Sequence, residues 1–184
     1  IIPTLGRMDK QLTYNALPEK YQDITKFVVQ AHEFEEMKSR YGDKVLCLPT
    51  HIDRIAPTRE WIFNEFKDTI HFVFDDDLEF VVNEPNTGEG TKWLSRKFTD
   101  QDFDDAFGLV DEWIEEGICY GGFLPVWVIP DVRQWPIREC QRIMTNVFYN
   151  GPQIPRDLKW CRLHAGEDFD VNLQLLTRGF KNRI

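Results

Sequence analysis

The sequence predicts one α/β domain with a mostly parallel central sheet flanked by helices. Three observations favour this fold class. Strand-like and helix-like segments alternate along the first half of the chain. The run Ile70–Phe74 is apolar apart from one histidine, which is typical of a strand buried on both faces of a parallel sheet. The chain also has 184 residues, 42% of them hydrophobic, a size and composition that suit a single core.

In the first half of the chain, the residue pattern predicts strands and helices that follow one another. Apolar and β-branched residues predict strands at Ile1–Ile2, Ile24–Val29, Val45–Leu48 and Ile70–Phe74. Helices are expected over Phe34–Tyr41, closed by Gly42, and from Thr58 to about Lys67. Strands that alternate with helices are expected to pair in parallel through right-handed crossovers.

The second half is less regular. The segment 83–98 contains Pro85 and two glycines and is expected to be a mobile loop. A helix is predicted from Asp100 to Gly117, with an apolar stripe formed by Phe103, Phe107, Val110 and Ile114. Gly121 to Ile129 suggests strands near an edge or a bend. A last helix is predicted over Glu167–Arg178, with Phe169, Leu173 and Leu176 facing inward.

The acidic charge of the chain is local. The net charge is -9, but residues 75–116 hold fourteen acidic and three basic residues, whereas residues 131–162 hold six basic and three acidic ones. The total charge therefore argues against a protein that coats nucleic acid, while the basic stretch could face a polyanion. No apolar run reaches the length of a membrane span, and the four cysteines have no metal-finger spacing. We therefore expect a cytoplasmic protein with no membrane partner.

Three consecutive aspartates, Asp75–Asp77, directly follow the predicted central strand. Since side chains alternate along an extended backbone, Asp75 and Asp77 are expected on one side and Asp76 on the other. The carboxyl end of a parallel strand is where open α/β sheets bind ligands. Two converging carboxylates would bind Mn²⁺ or Mg²⁺ and leave coordination positions for a diphosphate. The alternative interpretation is a solvated acidic turn.

Three further sites have both a structural and a functional interpretation. Glu167 and Asp168 open the last helix. They could simply cap the helix, since acidic residues are favoured in a first turn. Alternatively, an ionised carboxylate at this position could act as a general base. Arg7, in a tight loop after the first strand, could bind a phosphate, and Arg59 could bind a phosphate or a carboxylate. Both could also be ordinary surface residues. Asp100–Asp111 resembles a calcium loop but lacks its central glycine and final glutamate, so the helix is favoured there.

Together these motifs resemble those of nucleotide-sugar glycosyltransferases with the GT-A fold, a Rossmann-like domain. The matching stretches are IIPTLGR at 1–7, TREW at 58–61, FVFDDDLEF at 72–80 and GEDFDVNLQLLTRGF at 166–180. Within that group the sequence is most similar to the TET-associated glycosyltransferases of phages, proposed to add sugars to hydroxymethylated DNA bases. This narrower resemblance comes from QLTYNALPE at 11–19, FVVQ at 27–30 and EDFDVNLQLL at 167–176.

The resemblance implies a role for each matching position. Residues 1–82 would form the donor-binding half and residues 99–184 the acceptor-binding half of one domain, 1–184. The donor-binding residues would be Thr4, Arg7, Gln30, Arg59, Asp75 and Asp76. Asp75 and Asp77 would bind the metal, Mn²⁺ or Mg²⁺. Asp168 would be the general base, with Glu167 beside it orienting the acceptor. Gly122 would line the acceptor pocket. Apart from the resemblance, Trp135 and Arg138 lie in the basic stretch 131–162 and are expected to contact the acceptor if it is DNA.

The implied activity is transfer of a sugar from a nucleotide-diphosphate donor, UDP-sugar above all, to 5-hydroxymethylcytosine in phage DNA, with inversion at the anomeric carbon. Several alternatives stay open. The acceptor could be a carbohydrate or a small molecule, since the basic stretch 131–162 could equally be an ordinary folded segment. The same carboxylates would suit a nucleotidyltransferase. A non-catalytic module that binds a nucleotide or calcium is the remaining alternative.

Overall fold

The computed structural model describes residues 1–85, 93–125, 137–163 and 165–184, which form a mixed α/β fold. The strands within these ranges are β1 (Ile2–Thr4), β2 (Phe27–Val29), β3 (Val45–Cys47), β4 (Ile70–Phe74), β5 (Val81–Pro85), β6 (Trp93–Lys97), β7 (Tyr120–Gly121), β8 (Asn146–Asn150) and β9 (Asn182–Arg183). The α-helices are α1 (Leu12–Ala16), α2 (Glu19–Ile24), α3 (Phe34–Tyr41), α4 (Ile55–Glu65), α5 (Asp100–Glu115) and α6 (Glu167–Thr177).

The first sheet is parallel, as expected, with the order β1-β2-β3. The second sheet is mixed. Its order is β4-β8-β7-β9, and β8 runs antiparallel to both β4 and β7. The sequence prediction of a mostly parallel sheet therefore holds for the first sheet, while β8, which was not predicted, makes the second one mixed.

Two backbone hydrogen bonds join the sheets. The Ile1 N–H donates to Phe72 O at 2.6 Å, and the Phe74 N–H donates to Ile1 O at 2.9 Å. One residue of the first chain segment thus bonds to two alternate residues of β4, which is the pattern of a parallel pair. The carboxyl ends of β1 and β4 consequently lie side by side, and this neighbourhood positions the candidate site.

The core lies between the sheets and the helices that cover them. Its largest cluster joins strand residues such as Val28 and Tyr149 to Ile62 of α4 and Leu175 of α6, all buried. A second cluster surrounds β1 and β2 and includes Met37 of α3. Helices α4 and α6 are therefore held against the same part of the sheet. In the described residues no helix has both the length and the apolar character needed to cross a bilayer.

Two segments have a different secondary structure from the one that the sequence predicts. Ile24 is the last residue of α2, so β2 begins only at Phe27. The expected loop 83–98 instead contributes the paired strands β5 and β6, in which Val81 lies opposite Lys97. Residues 86–92 lie outside the described ranges. Pro85 takes the last position of its strand.

Helix α4 begins at Ile55, three residues before the predicted cap at Thr58. Pro57 then falls in the first turn, where its missing N–H is not needed for a helical hydrogen bond. Helix α5 matches its prediction. Thr99 and Asp102 form a capping box at its start, and Phe103 and Val110 are buried. The segment that resembles a calcium loop is therefore helical.

The inward face predicted for α6 is wrong. Leu173 is 58% exposed, whereas the buried face carries Val171 and Leu175 together with polar residues. Gln174 Nε2 donates to Asp170 Oδ2 at 2.9 Å and to Lys159 O at 2.8 Å. Because these polar groups form hydrogen bonds with one another, their burial costs little free energy. The buried face of α6 therefore includes polar residues and cannot be located from its apolar residues alone.

His71 is a buried titratable residue of β4. Its ring packs between Phe66 and Tyr149, and Nε2 is buried without a hydrogen-bond partner among the described residues. Burial lowers the pKa of His71 from 6.5 to about 4. Between these values the unfolded chain binds a proton at His71 that the folded chain does not, so stability falls as the pH drops.

We predict that His71→Phe removes this acid sensitivity. From the two pKa values, wild type should lose about 2 kcal/mol more unfolding free energy than the variant between pH 8 and pH 5. Urea unfolding of both proteins at several pH values measures the difference. Stability curves that stay parallel over this range would contradict the assignment.

Candidate functional site

The carboxyl ends of β1, β2 and β4 open on a cavity of about 330 Å³. Its described wall includes six of the predicted site residues, namely Thr4, Arg7, Gln30, Asp75, Asp76 and Asp77. Asp53 and Arg54, which the sequence did not single out, also line it. The structure therefore brings together every predicted donor-binding residue except Arg59, which does not line this cavity.

The three aspartates lie in a turn rather than on an extended strand. Buried Thr13 holds this turn, since its Oγ1 donates to Asp75 O at 2.5 Å and accepts from the Leu78 N–H at 2.8 Å. The backbone consequently bends after β4. The expected alternation, with Asp76 opposite its two neighbours, is not observed, and Asp76 and Asp77 share one partner.

That partner is Arg7. Its Nη1 lies 2.6 Å from Asp76 Oδ1 and 2.7 Å from Asp77 Oδ2. The other oxygen of Asp76 accepts a hydrogen bond of 2.5 Å from Thr4 Oγ1. The hydrogen bond to Asp77 and the neighbouring charges raise the pKa of Arg7. Arg7 and Thr4 thus contact the aspartates of the cavity wall.

Arg59 joins the aspartate turn to α6. Its side chain is only 13% exposed, with Nη2 3.0 Å from Asp75 Oδ1 and Nη1 2.7 Å from Glu167 Oε1. The same Nη1 lies 3.9 Å from Asp168 Oδ2. Burial raises the pKa of Asp75, and the charge of Arg59 opposes this rise. Arg59, predicted to bind the donor, therefore contacts Asp75 and connects it to the predicted catalytic pair.

The predicted catalytic pair occupies the first turn of α6. Gly166 caps the helix with φ of +81°, a conformation that glycine adopts without strain. Glu167 is buried, and Asp168 Oδ1 accepts from the Phe169 N–H at 2.9 Å, which leaves Oδ2 on the side of Arg59.

The aspartate turn supplies hard oxygen donors that suit a divalent metal ion. Asp75 and Asp77 both line the cavity, and the Asp77 side chain is 50% exposed. Among the described residues no group of three or more His, Cys, Asp or Glu side chains is placed to hold a metal. The two carboxylates therefore fit Mn²⁺ or Mg²⁺ only if other oxygens, such as those of a diphosphate and water, complete the coordination.

A second cavity, of about 540 Å³, shares Asp75 and Asp77 with the first. Phe80, Phe98 and Phe123 supply flat apolar surfaces on its wall. Asp75 and Asp77 thus lie between one cavity that contains several charged residues and another that has aromatic walls.

Neither Gly122 nor Arg138 lines the described part of either cavity. Gly122 is buried so closely that a Cβ would lie 2.3 Å from Asn146 O, although the next residue, Phe123, does line the second cavity. Arg138 pairs through its backbone with Ile184. Trp135 lies outside the described residues.

Sequence reasoning missed the residues that shape the turn. Besides Thr13, these include Thr145, whose carbonyl accepts from the Asp75 N–H at 2.8 Å. Thr145 has φ of +59°, which is strained for a β-branched residue and is a feature that clusters at functional sites. Neither threonine carries a sequence signal, because each acts through a partner more than sixty residues away.

We predict that Arg59 and Glu167 are energetically coupled. Arg59→Met should destabilise the fold by about 3 kcal/mol, because it leaves buried carboxylates without a counter-charge. Adding Glu167→Gln should restore part of that loss, giving a coupling energy of at least about 1 kcal/mol in a double-mutant cycle. Urea unfolding measures it. The exposed pair Arg178–Asp157 is the control, with an expected coupling below about 1 kcal/mol. Additive effects at Arg59 and Glu167 would contradict the buried pairing.

Comparison with known proteins identifies the family of the chain. The family model described as TET-Associated Glycosyltransferase matches residues 1–182. Comparisons with curated proteins and with solved structures gave no match. Since the family model spans nearly the whole chain, including both cavities and the first turn of α6, the protein is an enzyme of the TET-associated glycosyltransferase family.

Proposed function

We propose that this glycosyltransferase is metal-dependent and transfers a sugar from a UDP-sugar to 5-hydroxymethylcytosine in phage DNA, with inversion, in the host cytoplasm. The observation that carries the proposal is the aspartate turn between two cavities, joined through Arg59 to the carboxylates of α6. Such an arrangement offers separate places for a donor and an acceptor on either side of the reacting groups.

We further propose that the chain forms one GT-A domain. Through the bonds of Ile1 to β4, the strands follow one another in the order β3-β2-β1-β4-β8-β7-β9. In that order β8 is antiparallel and its neighbours run in the common direction of the other strands. A donor site at the carboxyl ends of β1, β2 and β4 agrees with the binding rule for open α/β sheets.

The smaller cavity suits the nucleotide part of the donor. Thr4 and Gln30 supply polar groups on its wall, and the cations Arg7 and Arg54 suit a diphosphate. Asp77, with Asp75 behind it, would hold Mn²⁺ or Mg²⁺. A bound divalent ion stabilises the negative charge that develops on the leaving diphosphate.

The larger cavity suits a flat acceptor base, which could stack on its phenylalanine rings once it has left the DNA helix. Asp168 would accept the proton of the attacking hydroxyl, with Oδ2 as the receiving atom. Arg59 and Glu167 would hold Asp168 near the aspartate turn. Attack from the face opposite the diphosphate inverts the anomeric carbon, and it requires only one catalytic base.

We predict that Asp168→Asn lowers turnover by about two to four orders of magnitude, the range for loss of a general base, while UDP affinity changes little. Initial rates and calorimetric titration with UDP separate the two effects. Asp111→Asn, an exposed acid on α5, should behave as wild type. Turnover of Asp168→Asn within threefold of wild type would remove this residue from the role.

The reaction itself is tested by incubating the protein with hydroxymethylcytosine DNA and mixed nucleotide sugars. Mass spectrometry should detect a hexose or pentose on the base, UDP should be released, and a chelator should abolish both. Release of pyrophosphate would instead identify a nucleotidyltransferase. Transfer only to carbohydrates or small molecules would overturn the DNA acceptor, and ligand binding with no product would identify a non-catalytic module.

A further inference from the structure

We propose that Arg7 is an internal counter-ion of the aspartate turn, which a divalent metal displaces from Asp77 and which then binds the diphosphate of the donor. Metal and donor would consequently bind cooperatively. This inference rests on the proposed function, since it concerns the same cavity.

The competition follows from the position of Arg7 Nη1, which lies within 2.7 Å of oxygens from both Asp76 and Asp77. A cation between these carboxylates removes their mutual repulsion. The Asp77 oxygen that accepts from Arg7 cannot also direct the same lone pair at a metal ion. A metal ion on the Asp77 carboxylate would also lie close to the positive charge of Arg7. Because like charges repel, metal binding favours opening of this ion pair.

The surroundings of Arg7 allow its side chain to move while its backbone stays in place. Gln11, which is buried, donates from Nε2 to Arg7 O at 2.8 Å. The preceding Gly6 N–H donates to buried Glu33 at 2.6 Å. In contrast, the side chain of Arg7 is 45% exposed and lines the donor cavity. A fixed backbone with an exposed guanidinium lets Arg7 turn from the aspartates to a ligand in that cavity.

The two ligands then assist each other. Metal alone must break the ion pair of Arg7 with Asp77 and leaves Arg7 with Asp76 as its remaining partner, whereas a diphosphate in the same cavity gives Arg7 a further one. By linkage, the factor by which UDP tightens metal binding equals the factor by which metal tightens UDP binding. A typical coupling of this kind is about 5-fold to 150-fold.

The test measures Mn²⁺ binding by electron paramagnetic resonance of the free ion, with and without UDP, for wild type and two variants. Arg7→Met should bind Mn²⁺ alone about 10-fold more tightly than wild type, bind UDP more weakly, and lose most of the coupling. Arg54→Met is the matched control. Arg54 lines the same cavity but pairs with Asp53 instead of the aspartate turn. It should weaken UDP binding while Mn²⁺ affinity and the coupling stay within about threefold of wild type.

An unchanged or weaker affinity of Arg7→Met for Mn²⁺ alone would overturn the inference, as would full coupling in this variant. If Arg7→Met does not fold, Arg7→Lys replaces it in the test. The shorter lysine side chain should contact the two carboxylates less well, so the affinity for Mn²⁺ alone should rise. An unchanged affinity would contradict the proposal. These outcomes leave the proposed function intact if wild type binds both ligands and transfers sugar. A wild-type protein that binds neither Mn²⁺ nor UDP would overturn both proposals.

Discussion

The buried guanidinium of Arg59 is the constraint on which the site depends. It contacts Asp75, which follows β4, and Glu167, which opens α6, and so it fixes two segments far apart in the sequence. Burial disfavours an ionised Asp75, and the charge of Arg59 offsets that cost. The core stabilises this contact, because α4 and α6 pack on the same hydrophobic cluster. The fold thus holds a cation in the position where it keeps the carboxylates of the site close together.

A second constraint acts at the edge between the sheets. The bonds of Ile1 to Phe72 and Phe74 set β1 beside β4, and the loop after β1 then meets the turn after β4. Two cations serve the aspartate turn in different ways. Arg59 is mostly buried and links structural elements, whereas Arg7 is half-exposed and lines the smaller cavity. In the proposed mechanism the first keeps the site assembled and the second responds to ligands.

Local patterns predicted part of the fold and located several of the residues that line the smaller cavity. The first parallel strands, α3 and α5 follow from periodicity and capping, and the aspartates were located because an apolar strand precedes them. Long-range contacts were beyond such reasoning. Nothing local pairs Arg59 with a residue 108 positions away, or Thr13 with the aspartate turn. The face of α6 was predicted wrongly because a buried polar network, centred on Gln174, replaces apolar packing there.

The central claim is that the aspartate turn and its cavity hold the donor diphosphate through a divalent ion. A crystal structure of the protein with Mn²⁺ and UDP tests it most directly. The account predicts an ion bound by Asp77 and by diphosphate oxygens, with the nucleotide beside Thr4 and Gln30 and with Arg59 still on Asp75 and Glu167. Nucleotide bound elsewhere, with the aspartates directed into solvent and no ion beside them, would contradict it.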